Sequence, residues 1–369
     1  MNAGKLVIYR IYDLAHEVNF AEASGKLNKL GPTSKYTLKR PSKDFLYGDP
    51  PLVLSQGDVL FEGTKAQMIT KIWSYGAVSF SLSIDCEAYS ENDEDRTKLI
   101  QWFSFWCESE AIDHFLKTKI QELLSLLGNS LKKPEVWNQE EDYNIFLANP
   151  DYKPKDFWEK DNFVYQFLSK EENIPLSEAM ISPIKESSLS YGPNDLVVID
   201  WDSAFVLART DSEDICDVIE LANVQLLELR YFDDLLDKKL SGLYRQVVEK
   251  RPSIFNSTIA LLARDASQLY LETSEVVERI ENSLKVVGDI YFARLYRLSL
   301  KRLQVPQWQA TVDQKLKNLQ DVSQMYMGEL HTRRGHFMEI IIIVLIAIEV
   351  VPFLYPIVMK YLELALSHL

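Results

Sequence analysis

Apolar and polar positions follow two different periods along this chain. Near the start, LVIYRIY, LVLSQGDVLFEG and AQMITKIWSYGAVSFSLSIDC are rich in β-branched and aromatic residues and are parted by glycine-containing breaks, which predicts the strands of a small sheet. From residue 91 the period changes. Acidic residues open the segment at ENDEDR, and Leu99, Phe103, Trp106, Leu116, Ile120, Leu123 and Leu127 keep helical spacing up to Gly128, a helix stop. Residues 129–162 mix prolines with charges and aromatics without a clear period, and read as a long loop or excursion. A second strand pair follows in DLVVIDW and SAFVLAR, separated by Asp202.

From Asp211 onward the chain reads as helix. Ile215, Ile219, Ala222, Leu226, Leu229, Leu236 and Leu240 step by three and four, with Asp233 the one polar residue in register, a stripe that needs a partner. A longer pattern runs through Leu262, Leu269, Val276, Ile280, Leu284, Val287, Tyr291 and Leu298 to about residue 304, roughly 70 Å if unbroken. Pro306 interrupts it. The stripe resumes at Val312, Leu316, Leu319, Tyr326 and Leu330, which predicts a helical hairpin turning near VPQW with antiparallel arms.

The most apolar stretch follows. Phe337 to Met359 is long enough to cross an apolar layer of about 30 Å, and only Glu339 and Glu349 are charged within it. Arg333 and Arg334, with His331 and His336, form a basic border before the stretch, whereas Lys360 is the one fixed basic residue after it; this asymmetry places the bulk of the chain in the cytoplasm. Glu339 sits near that border. Glu349 lies near mid-bilayer, where an acid costs about 2.5–3.5 kcal/mol. It is protonated and bonded across an oligomer interface, or brought near water by a kink at Pro352 and Pro356, or part of a relay. A buried core helix is the alternative for the whole run.

Composition narrows the reading. A formal net charge of -14 argues against a uniformly basic surface made for nucleic acid or anionic lipid. Cys86, Cys107 and Cys216 are too far apart in sequence for a paired metal or redox motif. The N-terminus has no signal-peptide run or transit-peptide character, so the apolar C-terminal run is the expected targeting signal.

Motifs for phosphate loops, dinucleotide turns, zinc hydrolysis and serine hydrolysis do not occur, and no cofactor or metal is expected. The acid pairs Asp200 with Asp202 and Asp233 with Asp234 stand without a partner motif. Arg294, Arg297, Lys301 and Arg302 form a basic stripe that is a candidate RNA or lipid contact; pairing with acids such as Asp313 and Glu329 is the blander alternative.

The run GDIYFARLYRLSLKRLQVPQWQATVDQKLKNLQDVSQMYMGELHTRRGHFMEIIIIVLIAIEVV resembles the C-terminal signature of the "required for meiotic nuclear division" family, a domain of unknown function. Its elements here are Glu339, the run Ile340 to Ile348, and Glu349; IWSYGAVSFSLSID is similar to the family's aromatic-Gly-Val-aromatic strand. Ile340 stands where family members carry a Trp, which together with the missing presequence suggests a bacterial branch. The resemblance implies a C-terminal membrane anchor, homo-oligomerisation, no established catalysis and, in mitochondria, support of membrane-associated translation.

These readings converge on an α+β protein. Residues 1–210 form a mixed sheet-and-helix domain, 211–336 a long helical, coiled-coil-like region with an antiparallel hairpin, and 337–369 a transmembrane anchor. The expected function is that of a non-enzymatic, self-associating scaffold, anchored in the membrane with its N-terminal domain at the cytoplasmic face. The other function considered is an RNA- or ribosome-contacting factor.

Overall fold

Alternate residues of the first strand face two different environments, and this sets the layering of the N-terminal part. The computed structural model describes residues 3–36, 45–47, 50–87, 93–151, 158–172, 175–249, 258–281, 284–286 and 290–366. The elements begin with β1 (Gly4–Asp13), β2 (Ala15–Val18), α1 (Phe20–Leu27), β3 (Thr33–Lys35), β4 (Phe45–Tyr47), β5 (Leu52–Phe61), β6 (Thr64–Ile72) and β7 (Ala77–Cys86). They continue with α2 (Asp93–Cys107), α3 (Glu110–Leu127), β8 (Leu131–Pro134), β9 (Glu141–Ala148), α4 (Phe163–Leu168), α5 (Glu178–Lys185), β10 (Ser188–Leu189), β11 (Leu196–Ile199) and β12 (Ser203–Leu207). Last come α6 (Ser212–Glu249), α7 (Thr258–Glu281), β13 (Leu284–Val286), α8 (Ile290–Arg302) and α9 (Val305–Leu366). The fold class is α+β, as the two periods predict.

Nine strands form one sheet in the order β10-β11-β12-β9-β1-β7-β6-β5-β3, and only the β12–β9 pair is parallel. Leu6, Ile8 and Tyr12 of β1 face a core shared with buried residues of α2 to α5, such as Phe103, Ile112, Phe167 and Ile184. Arg10 lies on that same face. Its guanidinium donates to Asp113 at 2.9 Å and to the Cys107 carbonyl at 2.7 Å, so one buried cation ties the end of α2 and the start of α3 to the sheet. The predicted 91–128 helix is therefore two helices, broken at Glu108 and Ser109 where Arg10 takes the last carbonyl of α2.

Two further predictions are corrected. The 129–162 excursion holds β9, a central strand paired to β1 on one side and β12 on the other, with Tyr143, Ile145 and Phe146 all buried. The helical pattern from 258 to 304 is interrupted by β13, which pairs with β4 (Leu284 opposite Tyr47), so Leu284 belongs to a strand; Val287 lies outside the described residues. Gly76 closes the β6–β7 turn at φ 106°, where a Cβ would lie 1.5 Å from the Ala15 carbonyl oxygen; only glycine fits.

The chain divides into two compact units, one of residues up to 235 with 275–312, the other of 236–274 with 313–369. In the first, α6 packs on the sheet face opposite α2 to α5, where Lys71 of β6 reaches its Asp217. In the second, Lys315 pairs with Asp237 at 2.7 Å and the Tyr326 hydroxyl donates to the Leu243 carbonyl at 3.2 Å, so α6 and α9 run in the same direction there. Ser267 of α7 meets Ser323 at 2.6 Å. Leu240, Leu262, Ala266, Leu316 and Leu319 are buried within that unit.

Pro306 falls in the first turn of α9, where its missing N–H costs nothing, and the turn before it is made at Gln304 with φ 57°. The helical pattern thus breaks just before Pro306, between α8 and the resumed stripe of α9, where the sequence pattern places the interruption.

Candidate functional site

α9 changes character along its length. From Val305 to Tyr326 one stripe is buried, including Val312, Leu316, Leu319 and Val322, whereas the apolar run from Phe337 to Tyr355 is exposed on every face. Ile342, Ile343 and Val344, three consecutive positions that point in three directions, are 52%, 58% and 49% exposed. The run is therefore not a core helix of this chain. It is the one helix among the described residues long and apolar enough to cross a membrane. The helix also continues through Pro352 and Pro356 without a break.

His331, Arg334 and His336 are exposed on α9 ahead of the run; Arg333 lies on the same helix, and its side chain is outside the described residues. His336 Nδ1 stands 3.5 Å from Glu339, one turn on, so the border residues include an acid–base pair. Glu349 is exposed amid apolar neighbours.

The basic stripe is placed in the first unit. Arg294, Arg297 and Lys301 are exposed along α8, whereas Arg302 turns back to ion-pair with Asp200 at the end of β11. Neither Asp313 nor Glu329 is the partner of Arg302. The Tyr191 ring meets Tyr291 edge-on at 5.5 Å at the other end of α8, so the helix lies along β11 with Tyr191 at its start and Trp201 at its finish. Tyr191 is 83% and Trp201 69% exposed. Asp202 pairs with Lys170 at 2.9 Å, so the Asp200 and Asp202 pair is used in structural ion pairs. Asp234 accepts from the Trp137 indole at 3.1 Å.

The sequence pattern missed two buried clusters on the α6 face of the sheet. Lys71 places its ammonium between Asp217, at 2.6 Å, and Glu220, above the Tyr36 ring at 5.1 Å, and the Tyr36 hydroxyl donates to Asp217. Burial alone would lower the ammonium's pKa, but the two carboxylates outweigh it and raise it above the ordinary lysine value. Lys71 therefore stays charged and is a poor nucleophile. Burial pushes the Cys86 and Cys107 thiols up to about 12, and Cys216 is raised well above its ordinary value, which makes all three unreactive at neutral pH.

The second cluster is acidic. Among the described residues, the fully buried Glu228 has a hydrogen-bond partner at neither carboxyl oxygen, and Asp13 at the end of β1 accepts only from the Ala15 N–H at 3.2 Å. Burial and the nearby Asp13 push Glu228 well up, and burial pushes Asp13 up to about 8. Two carboxyls without a cation hold at least one proton between them at neutral pH. Among the described residues, no group of three or more His, Cys, Asp or Glu side chains is placed to hold a metal ion.

The same sheet face carries a cleft of about 750 Å³ beside the start of α6, lined by Lys5, Tyr9, Tyr36, Lys71, Arg209 and Asp217 among others.

Residues 3–213 match the model of the family described as "Uncharacterized protein MJ0711, N-terminal domain". The match spans more than half of the chain, and the chain belongs to that family. It is also 28% identical over 236 residues to the uncharacterized protein MJ0711 of Methanocaldococcus jannaschii, a stretch covering 63% of this chain and 71% of that protein. No solved structure matches the chain. The family shown is thus an uncharacterized domain family, and the match supports neither the meiotic nuclear division name nor a bacterial origin.

Proposed function

We propose that this member of the MJ0711 N-terminal domain family is a membrane-anchored, non-enzymatic scaffold, held by the run from Phe337 to Met359 and presenting its sheet domain at the cytoplasmic face. The observation that carries this reading is the exposure of that run on all sides. In water such a surface is a large apolar liability, whereas about 35 Å of helix matches the hydrocarbon layer of a bilayer. The basic border at Arg333 and Arg334 favours the cytoplasmic side for what precedes it.

Self-association belongs to the same reading. A single span offers Glu349 no partner within its own helix, and a second copy supplies the same acid at the same depth, where two protonated carboxyls can bond to each other. The resemblance of the C-terminal run to the meiotic nuclear division family agrees with an anchored oligomer; it lies outside the residues that match the MJ0711 domain.

Alkaline carbonate extraction of membranes from cells making the full chain tests the anchor. Retention in the pellet is expected, and release to the supernatant would remove the anchor and the scaffold reading with it.

A second reading is favoured by the α8 surface: an RNA- or ribosome-contacting factor supporting membrane-associated translation. Three exposed cations spaced over about 10 Å, with an exposed aromatic at either end of the helix, suit a phosphate backbone and stacked bases. Ribosome association that weakens steeply with added salt supports this reading, and salt-insensitive association counts against it.

A further inference from the structure

The strand register defines the floor of the cleft beside α6. Val206, Leu147, Lys5 and Asp85 stand opposite one another across β12, β9, β1 and β7, and the next row on that face includes Val7, Ser83 and Gln67. Tyr9 lies in the row after that, where α6 begins to cover the sheet, about 13 Å from Lys5 along β1. The first turns of α6 form one wall, which brings Ser212, Glu213 and Asp214 to the cleft.

Most charges there are already answered. Lys71 is held by Asp217 and Glu220, and Lys5 stands loosely across the ladder from Asp85 at 3.9 Å. Two groups are not. Arg209 is exposed at the end of β12 and has no ion-pair partner among the described residues. Tyr9 is 4% exposed, lines the cleft, and its hydroxyl makes no hydrogen bond among the described residues. A phenol hydroxyl that opens onto a cavity from an otherwise buried ring is held in one direction and can exchange water for a bound acceptor or donor.

These features set a chemistry along the cleft. One end offers Arg209 and, beyond its loose pairing with Asp85, Lys5, which suit an anionic group. The wall offers carboxylate oxygens of Glu213 and Asp214, which accept from hydroxyls, and the floor between is part apolar through Val7 and Val206. The volume, about 750 Å³, is that of a small-molecule site.

We propose that the cleft binds a phosphorylated sugar, free or as part of a mononucleotide, with its phosphate at Arg209 and Lys5, its hydroxyls along Glu213 and Asp214, and its far end at the Tyr9 hydroxyl. The floor and the strand ends fall within the residues that match the family, so the site belongs to the domain and not to the anchor. It is independent of the scaffold reading.

Titration calorimetry on the full chain in detergent tests it, with ribose 5-phosphate, AMP and adenosine as probes. Saturable binding of a phosphorylated probe is expected, weakened tenfold or more in Arg209→Ala, restored in part by Arg209→Lys, weakened about threefold to tenfold in Tyr9→Phe, and unchanged in Arg294→Ala. Ribose 5-phosphate binding as tightly as AMP points to a free sugar phosphate, and AMP binding alone points to a nucleotide. Adenosine binding as tightly as AMP, an unaffected Arg209→Ala, or no saturable binding of either phosphorylated probe would overturn the assignment.

Discussion

The middle of α6 and the apolar run of α9 invert the usual link between polarity and burial. Residues 218–229 are buried on every face although they include Glu220, Asn223, Gln225 and Glu228, whereas the far more apolar run from Phe337 to Tyr355 is exposed on every face. Of these four polar groups all but Glu228 have an answer, two of them from far along the chain. Glu220 has Lys71, Asn223 donates to the Ile219 carbonyl at 2.9 Å, and Gln225 donates to the Ile280 carbonyl and accepts from Tyr296. Hydropathy thus reports which solvent a helix suits, and hydrogen bonding decides whether a polar helix can serve as a core.

The same kind of substitution should separate the two helices most sharply. Leu227→Arg, at a fully buried position, is expected to cost more than about 4 kcal/mol and abolish cooperative unfolding by circular dichroism. Leu345→Arg should leave the sheet domain folded and cost about 2.5–3.5 kcal/mol of membrane insertion, read as a shift from pellet to supernatant on carbonate extraction. Equal effects of both on folding would dissolve the distinction.

Next in size is Lys71→Met, which leaves Asp217 and Glu220 buried without their cation. A loss of about 3–5 kcal/mol in urea unfolding is expected, and a neutral result would show that the carboxyls take up protons at little cost.

Asp13 and Glu228 predict a pH effect of a definite sign. Both are raised in the folded state, Asp13 to about 8 from 3.8, so the folded protein binds the extra protons. The contribution of Asp13 is fullest below about pH 4 and is lost as pH rises from there to about 8, by up to about 1.4 kcal/mol per pH unit, and Glu228 adds a loss of the same sign. Glu228→Gln should flatten that decline in thermal midpoints measured from pH 5 to 9; an unchanged slope would place the titration elsewhere.

The smallest contrast lies on α8. Arg302→Ala removes the partner of buried Asp200 and should cost about 1–3 kcal/mol, while Arg294→Ala should stay within about 0.5 kcal/mol in the same urea assay.

Local periodicity carried the elements whose neighbours in sequence share their fate. Leu99, Phe103, Leu116, Ile120 and Leu127 are buried as their spacing predicts, and DLVVIDW with SAFVLAR became the antiparallel pair β11 and β12. It failed at β9, because a strand buried on both faces shows no alternation and Pro134 and Pro150 stand close by. The continuous pattern across Leu284 hid β13, whose partner Tyr47 lies far back in the chain. The cleft was equally out of reach, since Arg209 comes near the β1 residues only through the register of β1, β9 and β12. By contrast the apolar run of α9 was legible because its composition alone marks it, with no contribution from residues far along the chain.

Gln225 also sets a clock. Its side chain waits for Tyr296, 71 positions later, and at a synthesis rate of about 5–20 residues per second that interval lasts about 4–14 s. During that time the nascent sheet has α6 as a lid with polar groups still unanswered, and the chain must build α7 before it can return to close the first unit. Only after α8 is made does the apolar run of α9 follow. The order of synthesis thus delivers a finished domain just ahead of the apolar run, and any pause between residues 235 and 290 would prolong the state most open to chaperones and proteases.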